Sequence, residues 1–194
     1  MNTGKGIRFP ADDIERRKWM DPDTILSGIG LKAGLTFLDI GCGGGFFALP
    51  AARIVGPGGR VYGLDPDARA IAVLKAQAAR EKLENLHLTV GRGEETVLCD
   101  KCADIVFFGI DLHDFQDPAM VLENARKMIK PSGRLVNLDW KKVDMRFGPP
   151  LEKRFNEHEA GTLIEAAGFS IESVAYSGPY HYLITAKLKV SKAN

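Results

Sequence analysis

The sequence is poor in the features that mark a chain for export, for a membrane or for a polyanion. It holds three cysteines in 194 residues, Cys42, Cys99 and Cys102. That number is too low, and odd, for a disulfide-stapled secreted domain, so a reducing compartment is expected. No uncharged apolar run approaches the ~18–20 residues that cross a bilayer, and Met1 to Pro10 lacks the apolar stretch of a secretory signal. A cytoplasmic location without stable membrane insertion is the expectation. The 26 basic and 25 acidic residues leave a net charge of +1, so no field of one sign draws nucleic acid from a distance. Internal repeats and low-complexity tracts are also missing, which excludes solenoid arrays.

What is present is an ordinary globular composition, 45% hydrophobic and 26% charged. The length suits one domain over residues 1–194. Residues 1–30 are polar and mixed in charge, with Ile14, Trp19, Met20, Ile25, Leu26 and Ile29 as the sizeable apolar side chains of their second half. They read as an arm of one or two short helices, and Asp21-Pro22-Asp23 offers a cap followed by a first-turn proline.

From Leu31 onward short β-type runs alternate with stretches of helical spacing, the pattern of βαβ units. Strands are expected at Thr36–Ile40, Arg60–Leu64, Leu86–Val90, Asp104–Ile110 and Arg134–Leu138, the last introduced by the turn Lys130-Pro131-Ser132-Gly133. Helices are expected at Phe46–Val55, ended or bent early by Pro50, and at Ala68–Glu84, where Ile71, Leu74 and Ala78 make one apolar stripe. Two more are expected at Ala119–Ile129 and Glu157–Ala167. The final runs, Ser170–Tyr176 and Tyr182–Lys189, are separated only by Ser177-Gly178-Pro179 and should be antiparallel neighbours.

The informative segment is Asp39-Ile40-Gly41-Cys42-Gly43-Gly44-Gly45, between a strand and a helix. Glycines there let the backbone approach a ligand, and the helix start offers free amides. A dinucleotide fingerprint fits only in the register Gly43, Gly45, Ala48, because starting at Gly41 puts Phe46 in the third glycine position. Asp65 stands 20 residues past Gly45 at the end of the second strand, where a carboxylate accepts hydrogen bonds from ribose hydroxyls. Loop and carboxylate together point to a nucleoside-containing cofactor.

Leu38 to Gly45 resembles motif I of the class I S-adenosylmethionine-dependent methyltransferases. Val61-Tyr-Gly-Leu-Asp65 resembles their motif II, and Met128-Ile-Lys-Pro-Ser-Gly133-Arg-Leu their late turn, in the family's order and spacing. Within that superfamily the chain is most similar to the small type 11 enzymes related to ubiquinone and menaquinone C-methyltransferases. The resemblance covers Leu31 to Leu138 closely and implies a Rossmann-like, doubly wound α/β fold over residues 31–189. The implied sheet has seven strands, mostly parallel with an antiparallel C-terminal hairpin.

The resemblance also implies S-adenosyl-L-methionine as cofactor and a small-molecule methyl acceptor as partner, a quinone-like or other aromatic ring among the candidates. Gly41, Gly43 and Gly45 would face the methionine part, Asp39 would hold its ammonium group, and Asp65 the ribose. Ile40, Cys42, Pro66 and Gly109 would also bind the cofactor. Arg92, Gly93 and Glu94 fall at the adenine. Arg92 stands where the family has Asp, so either Glu94 takes over the adenine amino contact, Arg92 stacks on the ring, or Arg92 is merely solvated. Catalytic residues are not identified, though Asp111 and His113 follow the fourth strand and are the best-placed proton acceptors. A capping or solvated role is the alternative for both.

Other readings stay open beside this one. They are a nicotinamide-dependent oxidoreductase, a non-catalytic S-adenosylmethionine-binding module, and an arsenite methyltransferase using the cysteines. Cys99-Asp-Lys-Cys102 has no second ligand pair at zinc spacing, so no metal is expected and the two read as incidental loop thiols. Lys141 to Arg154 carries five basic residues (Lys141, Lys142, Arg146, Lys153, Arg154) against Asp144 and Glu152. It is read as a solvated loop or a wall of the acceptor pocket. Trp19 and Met20 are lid or core, and Tyr180-His181-Tyr182 is read as packing. A homo-oligomer is left open.

Overall fold

The computed structural model describes residues 16–145 and 148–189, so Ile14 with the first half of the expected arm, and Arg146 of the basic loop, lie outside the described residues. In chain order the elements are α1 (Pro22–Gly28), β1 (Thr36–Ile40), α2 (Ala48–Val55), β2 (Arg60–Asp65), α3 (Ala68–Arg80) and β3 (Leu86–Val90). They continue with β4 (Ala103–Gly109), α4 (Pro118–Met128), β5 (Ile129–Trp140), α5 (Glu157–Ala166), β6 (Phe169–Ser177) and β7 (His181–Leu188). The seven strands form one sheet in the order β3-β2-β1-β4-β5-β7-β6. Strands β1 to β5 run parallel, and β7 is antiparallel to both β5 and β6.

Burial on both faces explains why β1 and β4 read as continuous apolar runs. One face packs against Leu26 of α1, Ala48, Ala51 and Val55 of α2, and Ile71 and Leu74 of α3. The other packs against Val121, Leu122, Ala125 and Met128 of α4 and Ala160 and Ile164 of α5. Each fully buried aliphatic side chain contributes roughly 1.5–3 kcal/mol, so these stripes outweigh the modest helix propensity of the elements that carry them. Strand order reverses between β1 and β4, and the crevice outside their carboxyl ends is where open α/β sheets bind ligands.

Three local expectations change. Helix α2 starts at Ala48 rather than Phe46, so Pro50 is its third residue, buried and unbent. An amide there has no intrahelical acceptor, so proline costs nothing. The Lys130–Gly133 turn is an interruption inside the β4–β5 ladder, where pairing jumps from Ala103↔Ile129 to Ile105↔Arg134. A Cβ at Gly133 would stand 2.7 Å from the Ala103 carbonyl, which is why glycine closes it. Cys99 and Cys102 are not separate thiols but a disulfide across three residues, with Cα atoms 6.0 Å apart. The left-handed backbone at Lys101 (φ +43°) folds the loop between β3 and β4 back on itself and brings them together.

The start of α5 is fixed by a reciprocal cap. The Asn156 side chain accepts from the Glu159 amide at 2.8 Å, and the Glu159 carboxylate accepts from the Asn156 amide at 2.8 Å. Asn156→Ala is expected to cost about 1 kcal/mol and lower Tm by about 2–4 °C in thermal unfolding, with Asn156→Ser close to the parent.

Candidate functional site

The carboxyl ends of β1, β2, β4 and β5 bring together a glycine loop and a group of buried acids. The loop leaves β1 by a sharp reversal in which the amides of Gly41 and Cys42 both donate to the Leu64 carbonyl, at 2.8 and 3.0 Å. Gly41 lies at φ +82°, and a Cβ there would collide with the Asp111 carboxylate. Only glycine lets this backbone pass so close to an acid. Asp65 braces the loop from β2, its carboxylate accepting from the Gly43 amide and the Asp67 amide at 2.8 Å each. Asp67 in turn caps α3 through the Arg69 and Ala70 amides.

Asp39 and Asp111 face this loop from opposite sides. Asp39 is 1% exposed, and among the described residues its Oδ2 has no hydrogen-bond partner; neither carboxylate oxygen of Asp111 has one. Burial, then the charge of Asp65, pushes Asp39 up to about 7, against the pull of the Arg16 guanidinium and the Ala48 amide. Burial, then Asp39, Asp139, Asp114 and Asp65, raises Asp111 well above the carboxylate range. Uncompensated buried carboxylates are costly, and such groups are found at functional sites. A cavity of about 130 Å³ lies against the loop, lined by Arg16, Asp39, Gly41, Gly43, Phe46 and Gly109. The Arg16 guanidinium covers it, 3.8 Å from the Phe46 ring centroid. A larger cavity of about 450 Å³ opens at the opposite end of β2, among Arg53, Arg60, Lys82 and His87. We place the site at the smaller one, because the unpartnered Asp39 carboxylate lines it and the Asp111 carboxylate lies against its Gly41 wall.

Of the other residues singled out by sequence, Ile40, Gly43, Gly45, Pro66 and Gly109 surround the same strand ends. Cys42 is a buried thiol that burial, and then the charges of Asp39, Asp65 and Asp111, keep protonated. The Gly93–Glu94 segment is pinned by buried Asn124, which donates to the carbonyls of Gly93 and Glu94 at 3.0 and 2.9 Å. Arg92 reaches sideways to Gln116 Oε1 at 2.9 Å and lies within 3.5 Å of both Glu94 and Glu95. Glu94 Oε1 accepts from the Gln116 amide at 3.0 Å. Arg92 and Glu94 thus tie the β3 exit to the loop after β4.

His113 is buried, not solvated. Its Nδ1 sits 2.8 Å from Asp139 Oδ1, which also accepts from the Trp140 amide, and its Nε2 is 3.5 Å from Asp114. Burial alone would depress this imidazole, but the hydrogen bond and charge of Asp139 outweigh it and raise it above its ordinary value. The β-branched Ile110, at φ +74°, makes the turn that sets Asp111 and His113 over the strand ends. Sequence reading missed Asp139 and Arg16. Asp139 passes as one polar residue in a strand, and Arg16 lies 23 positions from the acid it faces.

Known proteins similar to this chain include methyltransferases. A family model described as a methyltransferase domain matches residues 31–166. A demethylmenaquinone methyltransferase from Halalkalibacterium halodurans is 30% identical over 126 residues, 65% of this chain and 51% of the relative. One from Lactococcus lactis is 29% identical over 133 residues, 69% and 50% of the two chains. The chain spans about half the length of these curated relatives. Among solved structures, a SAM dependent methyltransferase from Aquifex aeolicus superposes with TM-score 0.87 at 30% identity, covering 92% of this chain and 95% of the other. A putative type 11 methyltransferase from Sulfolobus solfataricus shares the fold at TM-score 0.74 and 24% identity, over 91% and 96% of the two chains.

Because the folded chain prefers Asp39 protonated, the stability this acid contributes is whole below about pH 3.8 and is lost as pH rises through about 7. Asp39→Asn, neutral and of the same shape, is therefore expected to raise Tm by a few degrees at pH 8 and to change it little at pH 4. A lower Tm at pH 8 would show that the charge is compensated.

Proposed function

The chain belongs to the class I, type 11 S-adenosylmethionine-dependent methyltransferases, and we propose that it transfers the methyl group of this cofactor to a small aromatic acceptor bearing a hydroxyl or a quinol-type ring carbon. The observation that carries the proposal is the pair of buried acids, Asp39 and Asp111, whose unpartnered oxygens converge on the glycine loop. They fit a group that is both cationic and a nucleoside. Asp39 and Asp111 would meet the positive charges of the cofactor's amino-acid end. Gly41, Gly43 and Gly45, with Ile40, Cys42 and Gly109, would lie along that end, Asp65 and Pro66 would take the ribose, and the Gly93–Glu94 backbone would border the adenine. A dinucleotide would bring its pyrophosphate against Asp39, Asp65 and Asp111, so electrostatics disfavours the oxidoreductase reading. Arsenite chemistry is disfavoured by Cys99 and Cys102 being joined to each other and Cys42 being held as a protonated thiol.

When bound, the cofactor supplies an electrophilic methyl group on a sulfonium. The chain's work is then to hold the acceptor in line at about 3–3.5 Å and to keep water out. His113 would take the proton that the acceptor gives up. With Asp139 accepting the Nδ1 proton, Nε2, 3.5 Å from the Asp114 carboxylate, would carry the lone pair of the neutral ring. The proposal includes a cytoplasmic setting. No helix among the described residues is long and apolar enough to cross a membrane.

Isothermal calorimetry with S-adenosylmethionine and S-adenosylhomocysteine tests the cofactor assignment. Both should bind the parent, Asp39→Asn should weaken them at least ten-fold, and NAD should give no heat. NAD binding without S-adenosylmethionine binding reverses the assignment. For the proton acceptor, His113→Gln is expected to lower kcat on a hydroxylated acceptor by roughly 10²-fold or more while leaving S-adenosylhomocysteine affinity intact. Activity of the parent should rise with pH through a value above 6.5, as the imidazole loses its proton. An unchanged kcat removes His113 from the chemistry.

A further inference from the structure

His181 has no structural account in the fold. It is fully buried at the start of β7, and neither ring nitrogen has a hydrogen-bond partner among the described residues. Buried imidazoles are ordinarily paired, and an orphaned one at the functional end of a sheet signals a missing ligand. Its surroundings are aromatic. Trp140 stands directly across the β5–β7 ladder, with ring centroids 4.3 Å apart. The Trp19 indole stacks on the imidazole at 5.6 Å with only 9° between planes, and it meets Tyr180 edge-on at 5.7 Å and Trp140 at 6.1 Å. Trp140, Tyr180 and His181 therefore make a seat that already receives a fused two-ring group.

The group now in that seat comes from the segment before α1. The amides of Trp19 and Met20 both donate to the Arg16 carbonyl, so this backbone is bonded within the segment. Arg16, on the same segment, lies over Phe46 at the cavity of about 130 Å³ beside Asp39. Seat and cofactor cavity are thus bridged by one short stretch of chain. Cationic groups border the seat. Lys141 donates to the carbonyls of Gly178 and Pro179, and the buried Arg154 donates to those of Pro149, Lys141 and Val143. Burial, then Arg16, Lys141 and Arg154, drives the His181 imidazole down to about 3. It therefore stays neutral, with one N–H to donate and one lone pair to accept.

We propose that Trp140, Tyr180 and His181 form the acceptor seat, that a fused two-ring aromatic bearing a hydroxyl occupies it with that hydroxyl on a His181 ring nitrogen, and that Trp19 holds the place until the acceptor displaces it. The inference rests on the methyltransferase reading and adds to it the residue that selects a hydroxylated ring over a bare one. The bordering cations favour an electron-rich or ionised hydroxyl over a cationic ring. His181 is here a positioning residue, because it binds this hydroxyl, whereas the proton taken by His113 comes from the ring carbon or second hydroxyl that receives the methyl group.

The test is calorimetric titration of the full chain, saturated with S-adenosylhomocysteine, with 2-naphthol and with 2-methoxynaphthalene, which lacks the donor. The parent should bind 2-naphthol at least ten-fold more tightly than His181→Phe does, whereas 2-methoxynaphthalene should bind the two alike. His181→Gln, which keeps a donor and an acceptor, should recover part of the loss. Trp19→Ala, with the seat vacated, should bind 2-naphthol more tightly than the parent. Because His181→Phe removes an unpaired polar group and keeps the ring, its Tm should equal or exceed that of the parent, whereas a packing role for the imidazole nitrogens would lower it. Equal 2-naphthol affinity in parent and His181→Phe overturns the proposal, as does weaker binding by Trp19→Ala. Either result alongside normal S-adenosylhomocysteine binding leaves the methyltransferase reading standing, whereas failure of S-adenosylhomocysteine to bind overturns both.

Discussion

Two carboxylic acids buried against a glycine loop, with three oxygens that find no hydrogen-bond partner among the described residues, set the terms for everything at the carboxyl end of this sheet. Asp39 rides at the end of β1 because a parallel strand between two helical layers has no polar face to give it. Asp111 is thrown over the same point by the left-handed turn at Ile110, and Gly41 must lack a side chain because the Asp111 carboxylate occupies that space. Asp65 adds a third carboxyl group while holding the Gly43 amide. Arg16 is the one cation among the causes that shift Asp39, and it does not win: burial and Asp65 together leave the acid well above its ordinary range. Stability is sacrificed at this point, and under the proposed function the cationic end of the cofactor would restore it.

Much of this was legible in the chain. Asp39, Gly41, Gly43 and Gly45 are local in sequence, and Asp65 follows at the end of the next strand, so spacing alone brings them to one edge once β1 and β2 pair in parallel. The antiparallel β6–β7 hairpin was equally readable from the Ser177-Gly178-Pro179 turn. Pro50 misled in one respect, since its effect depends on where the helix begins, and a shift of two residues turns a breaker into a harmless first-turn proline. The Lys130–Gly133 turn was recognised as a turn but not as a break inside a ladder, because only the partner strand shows that Ala103 and Ile105 pair on either side of it.

The remaining features depend on distant register. The His113–Asp139 pair needs β4 and β5 in place with the loop after β4 folded back between them. His181 reads as packing until the β5–β7 register sets it opposite Trp140 and the segment before α1 lays Trp19 on it. Arg92 and Glu94, singled out for the adenine, turn out to tie two loops together, which leaves the backbone pinned by Asn124 as the rigid element there. Cys99 and Cys102 pair because of the backbone turn at Lys101, which no cysteine count reveals. In each case residue type was visible and partner was not.

If Asp39 waits for a cation, binding the cofactor must expel the proton that burial holds on it. Calorimetric titration of S-adenosylmethionine between pH 5.5 and 7, in two buffers of different ionisation enthalpy, measures that proton directly. The account predicts a buffer-dependent heat corresponding to proton release and an affinity that rises steadily over this range, toward the value of about 7 that the buried acid shows without ligand. A heat independent of buffer, with an affinity flat in pH, would contradict it.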